Sequence, residues 1–159
     1  MPQGLVDVSS HQGRREAVLL HGVTPAQLAG ISEAQLEAIY GMAVDDMGAG
    51  RLALALERMS FLVQHQPWER RYLVGLAHAL QSVGQWAAAR RFYAQALLSD
   101  ATDALCAYRS GECLEALGDT EAAREAFETA VALSWIGEGH PELREAALAR
   151  LDVLARQGA

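Results

Sequence analysis

The sequence predicts an all-α fold, an α-solenoid of three stacked helical hairpins with a C-terminal capping helix and a short N-terminal helical arm. Three observations predict it. Thirty of the 159 residues are alanine, the best helix former and a poor strand former. Aromatic residues make up only 6%, so the core must be closed by small side chains at short range. The chain also repeats itself every 34 residues, in the gapless segments 36–69, 70–103 and 104–137, a period that means stacked helical units. A chain of 159 residues is of one-domain length and buries roughly 70% of its unfolded surface, so it can build a core without disulfides or metal.

The elements follow in order. Residues 1–13 are polar and Gly/Ser-bearing and read as disordered, and residues 14–20 read as a short helix stopped by Gly22. Thr24-Pro25-Ala26-Gln27 is a capping signature with proline at the first helical position, and it opens a short turn before Gly30. Ser32-Glu33-Ala34-Gln35 is a capping box that opens the first long helix. Six helices are predicted, over 33–48, 51–65, 69–82, 85–98, 102–116 and 119–133. Asp119 caps the last of these, with Glu121 in its first turn. A further helix starts at Pro141, with Leu143, Ala147, Leu151 and Leu154 recurring at helical spacing. It would cover the exposed end of the third hairpin. The domains are then an arm, 1–30, the three repeats within 31–137, and the cap, 138–159.

Each column of the repeat has a physical reason. Position 8 reads Ala43, Ala77 and Gly111, and position 20 reads Ala55, Ala89 and Ala123. Small residues there let the two helices of a hairpin cross closely. Position 15 reads Gly50, Gly84 and Gly118, the residue that ends a helix in the left-handed conformation most cheaply. Position 24 reads Met59, Tyr93 and Phe127, which fill the space beside the small pair, and position 27 reads Leu62, Ala96 and Ala130. This pattern resembles the tetratricopeptide repeat across all of 36–137. Two of the repeat's usual residues depart. The usual Trp at position 4 is Ile39, Leu73 and Ala107, and the usual Pro at position 32 survives only as Pro67.

Composition excludes several functions. The net charge is −7 and all 13 basic residues are arginine, so there is no basic stripe for nucleic acid and no basic amphipathic helix for a membrane surface. The longest apolar run, Leu52 to Leu56, falls far short of the ~20 residues of a membrane helix. No signal-peptide hydrophobic region follows Met1. Cys106 and Cys113 on one helix would lie about 10.5 Å apart along its axis, too far for a disulfide, and they read as buried apolar residues. The histidines His11, His21, His65, His78 and His140 are scattered, with no metal-ligand spacing. Asp45 and Asp46 are neighbours pointing about 100° apart on a helix, and they read as a solvated face. Nucleotide loops, nucleophile elbows and zinc-protease motifs are absent. The sequence predicts no enzyme, cofactor or metal.

Binding belongs to the first helix of each hairpin. On tetratricopeptide precedent, positions 2, 5, 9 and 12 face the groove. They are Glu37, Tyr40, Val44 and Met47, then Arg71, Val74, His78 and Gln81, then Leu105, Tyr108, Glu112 and Glu115. Tyr40, Val44, Met47, Val74, Leu105 and Tyr108 give this set an apolar character that calls for a partner, and the polar members taken with them as groove residues are His78, Gln81 and Glu112. A clamp for an acidic tail would need cations at positions 2, 5, 6 and 9, where Tyr40, Val44, Gly75 and Leu105 stand, although Arg109 fits. An apolar peptide suits the face better.

The run Ile31-Ser32-Glu33-Ala34-Gln35-Leu36-Glu37-Ala38-Ile39-Tyr40, with Gly75-Leu76-Ala77, Gly84-Gln85-Trp86, Gly111-Glu112-Cys113-Leu114 and Gly118-Asp119, carries a closer likeness. In this order, between a polar arm and a single C-terminal helix, they make the chain resemble the class II chaperones of bacterial type III secretion over residues 24–155. The resemblance implies a non-enzymatic protein of the bacterial cytoplasm. It implies two hydrophobic, pore-forming translocators as partners, bound through an extended N-terminal segment before secretion. It also implies a homodimer formed through the N-terminal helical region, for which Leu19, Leu20 and Val23 are the candidates. The alternative for these three is that they fold back on the first repeat. A general tetratricopeptide scaffold and a needle-subunit chaperone are the competing functions.

Overall fold

A computed structural model describes residues 10, 12–15, 17, 22–137 and 139–157, and every regular element among them is helical. The chain divides into two units, residues 1–72 and 73–159.

The N-terminal unit is organised by its caps. Residues 12–15 are helical, whereas their polarity predicts disorder up to residue 13. The cause is Ser10, whose hydroxyl accepts the Gly13 N–H at 3.0 Å. Leu19 and Leu20 lie outside the described residues. Helix α1 (Pro25–Leu28) opens on the predicted capping box: Thr24 Oγ1 accepts from the Gln27 N–H, and Gln27 Oε1 accepts from the Thr24 N–H at 2.8 Å. Helix α2 (Glu33–Gly48) repeats the device with Ser32 and Gln35. Gly50, at φ +70°, turns the chain into α3 (Leu52–His65). Ala43 and Ala55, at positions 8 and 20, are both fully buried, and Leu36, Met59 and Leu62 fill the space around them.

Asp46 corrects the reading of Asp45-Asp46 as a solvated pair. Asp45 is exposed, but Asp46 is 2% exposed. Its carboxylate accepts the Arg51 Nε–H at 2.7 Å and meets the Arg58 guanidinium. The residue occupies position 11, where Leu80 and Leu114 stand in the other repeats. A charge there requires partners, because an unpaired buried carboxylate is costly.

Helix α4 (Arg70–Ser82) begins in the N-terminal unit and continues into the C-terminal one. There it is followed by α5 (Trp86–Ser99), α6 (Ala104–Ala116), α7 (Thr120–Leu133) and α8 (Pro141–Gln157). Most helices start a residue or two later than predicted. The cap residues stand outside them: Asp103 accepts the Cys106 N–H at 2.9 Å, and Asp119 accepts from Ala122. Gly84 and Gly118, at φ +76° and +79°, match Gly50. Helices α6 and α7 cross closely at Gly111, where an added Cβ would sit 2.7 Å from the buried Phe127 ring.

Helix α8 caps the unit as expected. Leu154 joins Leu114, Ala123 and Phe127, and Ala147 joins Ala107 and Ala130. Arg150 Nε donates to Glu115 at 3.0 Å and ties α8 to α6. Cys106 and Cys113 are buried and not joined in a disulfide, and burial pushes the Cys113 thiol up to about 11, which keeps it unreactive. Among the described residues no helix is long and apolar enough to cross a membrane.

Candidate functional site: the outer faces of the first helices

The heptad-like spacing of positions 2, 5, 9 and 12 puts four residues of each first helix on one side. In the structure none of the twelve is buried, whereas positions 8 and 11 of the same helices are buried in every repeat. The helix phase inferred from the repeat is therefore correct for all three.

In the N-terminal unit, Val44 is 46% exposed and Met47 is half-buried beside it on the helix. Tyr40 is less open than its position implies. Its ring lies 5.5 Å from that of Tyr72, and the Arg71 guanidinium stands over both rings at 5.3 and 5.7 Å. Arg71 is held there by Glu37, to which Nη2 donates at 2.6 Å, and by Glu69. The hydrogen bond from Arg71 holds the Glu37 carboxyl below the usual carboxylate range. Glu33, Leu36, Glu37, Gln66, Glu69 and Tyr72 line a pocket of about 220 Å³ next to this cluster.

In the C-terminal unit the face alternates. Val74 is half-buried and Leu105 is 47% exposed. Tyr108 is divided: its ring packs 5.4 Å from Phe127 and against both core clusters, and burial pushes its hydroxyl pKa up. Gln81 Nε2 donates to Glu112 Oε2 at 2.9 Å, and Arg109 Nη1 donates to the same oxygen at 2.8 Å. His78 is exposed, with its pKa lowered first by partial desolvation and then by the Arg109 charge. The imidazole is therefore neutral at neutral pH.

These contacts define the polar part of a face whose assigned residues are largely apolar. Ion pairs and amides interrupt it in each unit. Of two further participants, Arg71 stands at one of the twelve predicted positions and Tyr93 escaped the groove assignment. Arg71 takes part by covering Tyr40, and Tyr93, placed in the core by its column, sends its hydroxyl to Gln81 Oε1 at 2.8 Å. The signal for Tyr93 lies in the repeat itself, where Met59 and Phe127 fill the same column without a hydroxyl. Val23, the described member of the candidate dimer set, is half-buried, and its N–H donates to the Ala17 carbonyl at 3.2 Å.

Comparison with known proteins adds three likenesses. The chain is 27% identical over 119 residues to the low calcium response locus protein H of Yersinia pestis, covering 75% of this chain and 71% of that protein. It superposes on a T3SS complex from Aeromonas hydrophila with a TM-score of 0.84 and 28% identity, over 91% of this chain and 97% of that one. It superposes on PcrH, a protein of Pseudomonas aeruginosa, in complex with the chaperone binding region of PopD, with a TM-score of 0.77 and 28% identity, over 82% and 98%. The sequence matches no family model.

Proposed function

We propose that this chain, a relative of the class II chaperones of bacterial type III secretion, holds hydrophobic translocator proteins in the bacterial cytoplasm before their export. It binds an extended segment of the partner on the outer faces of its first helices. In the N-terminal unit these present Tyr40, Val44 and Met47. In the C-terminal unit they present Val74, His78, Gln81, Leu105, Tyr108 and Glu112. The observation that carries this reading is the phase of the twelve positions: none of them is buried, and Val44 and Leu105 stand about half exposed among them. The likeness to PcrH, solved with a segment of PopD, supports the same reading.

The magnitudes suit a reversible holder. Three partner side chains buried on these faces contribute roughly 1.5–3 kcal/mol each. Ordering the segment and losing its free motion offset several kcal/mol of that. These contacts alone give at best roughly submillimolar affinity, and tighter holding needs further surface on the partner. The chain acts by binding alone, with no chemical step. A homodimer formed through Leu19, Leu20 and Val23 is part of the proposal.

Co-expression with neighbouring genes that encode membrane-inserting helices, followed by pull-down, tests the reading. The double substitution Tyr40→Glu and Val44→Glu is expected to abolish capture of the translocator at unchanged helical circular dichroism. Wild-type capture by that variant would refute the assignment of the face. A pull-down that recovers no translocator with the wild-type chain would favour the general scaffold.

A further inference from the structure

Gln81, Arg109 and Glu112 interrupt the apolar face of the C-terminal unit, and their arrangement is set from below. The Tyr93 ring is 1% exposed, and its hydroxyl donates to Gln81 Oε1. That bond decides which way the amide points. Nε2 must face Glu112, to whose Oε2 it donates, and Arg109 Nη1 donates to the same oxygen. A buried hydroxyl on α5 thus orients a carboxylate on α6 through one amide. Glu112 is only 24% exposed and Arg109 36%. A guanidinium has five N–H donors, and the bond to Glu112 uses one. This leaves a half-desolvated cation and anion side by side on the surface where an extended segment would lie.

An extended segment brings a requirement that apolar contacts cannot meet. Each backbone N–H and C=O that it turns toward the protein loses water, and leaving such a group unpaired is costly. We propose that Arg109 and Glu112 form a main-chain clip for the bound segment. Arg109 donates to a backbone carbonyl and Glu112 accepts from a backbone N–H, with Tyr93 and Gln81 as positioning residues. The clip rests on the functional reading above and adds the group recognised: peptide backbone rather than a side chain. The face therefore tolerates different partner sequences at this point but rejects proline at the residue whose N–H meets Glu112, because proline has no N–H.

The probe is a fluorescein-labelled peptide of the chaperone binding region of PopD, titrated by anisotropy into the full chain. Ester bonds replace its amides one at a time, each removing one N–H. On the wild-type chain one ester position is expected to weaken binding by about tenfold, as for a hydrogen bond to a charged group. On Glu112→Leu the same ester is expected to weaken binding less than twofold. Glu112→Gln keeps an acceptor oxygen and is expected to keep most of the penalty, and it stands in if the leucine variant fails to fold. Tyr93→Phe is expected to weaken the parent peptide without changing the circular dichroism spectrum. Ester penalties identical in the wild type and Glu112→Leu, or absent at every position, would overturn the clip and leave the chaperone reading standing. No binding of the parent peptide by the wild-type chain would overturn both.

Discussion

Gly111 and Phe127 show how a single residue sets the distance between two helices. The Cβ of an alanine at 111 would meet the ring of Phe127 at 2.7 Å, and that ring is fully buried and cannot swing away. Gly111→Ala is therefore expected to destabilise the chain by about 1–3 kcal/mol, although alanine is the better helix former. Urea denaturation reads the loss, and an unchanged midpoint would mean that the crossing is looser than it is drawn. His78 gives a residue-scale prediction about pH. Its pKa is lowered in the folded chain by desolvation and by Arg109, so the unfolded chain binds the proton more readily. The stability this contributes is complete above the ordinary histidine value of 6.5 and is lost as pH falls below it. Acidification from about pH 7.5 to pH 5.5 is expected to lower the urea midpoint more in the wild type than in His78→Gln. Equal slopes would contradict the shift.

Among the elements, α8 shows most plainly that amphipathic spacing dictates burial. Leu154 is buried against Leu114, Ala123 and Phe127, while Leu148 on the same helix is 49% exposed. Leu154→Ala is expected to cost about 3 kcal/mol, whereas Leu148→Ala should stay within about 0.5 kcal/mol. Comparable losses at the two positions would show that the cap is seated differently. Helix boundaries were legible to a residue or two because their signals are local. The boxes at Thr24 and Ser32, the cap at Asp119 and the glycines at position 15 act within four residues of the terminus they define, whereas the cap at Asp103 was not read and that helix was expected to start at 102. The helical turn starts at residue 12 rather than the expected 14, because the polar composition of residues 12 and 13 outweighed a single serine cap.

At the scale of the whole molecule, dimerisation is the property tested most directly. Replacing Leu19 and Leu20 with glutamate is expected to move the chain from dimer to monomer on light scattering, and an unchanged mass would favour the alternative in which these residues pack on their own repeat. The 34-residue period, the column chemistry and the phase of the first helices follow from sequence alone, because a repeat must solve the same packing problem three times and leaves the solution visible in its columns. The likeness to translocator chaperones was legible for the same reason. The tertiary structure alone decided which polar residues share the face. Arg71 reaches back to Glu37 and over Tyr40, and Tyr93 reaches Gln81 twelve positions away. Asp46 sits in an apolar column because Arg51 and Arg58 converge on it. Long charged side chains choose partners across helices by distance and desolvation. Periodicity records which side of a helix a residue occupies, but not where the end of a flexible side chain comes to rest.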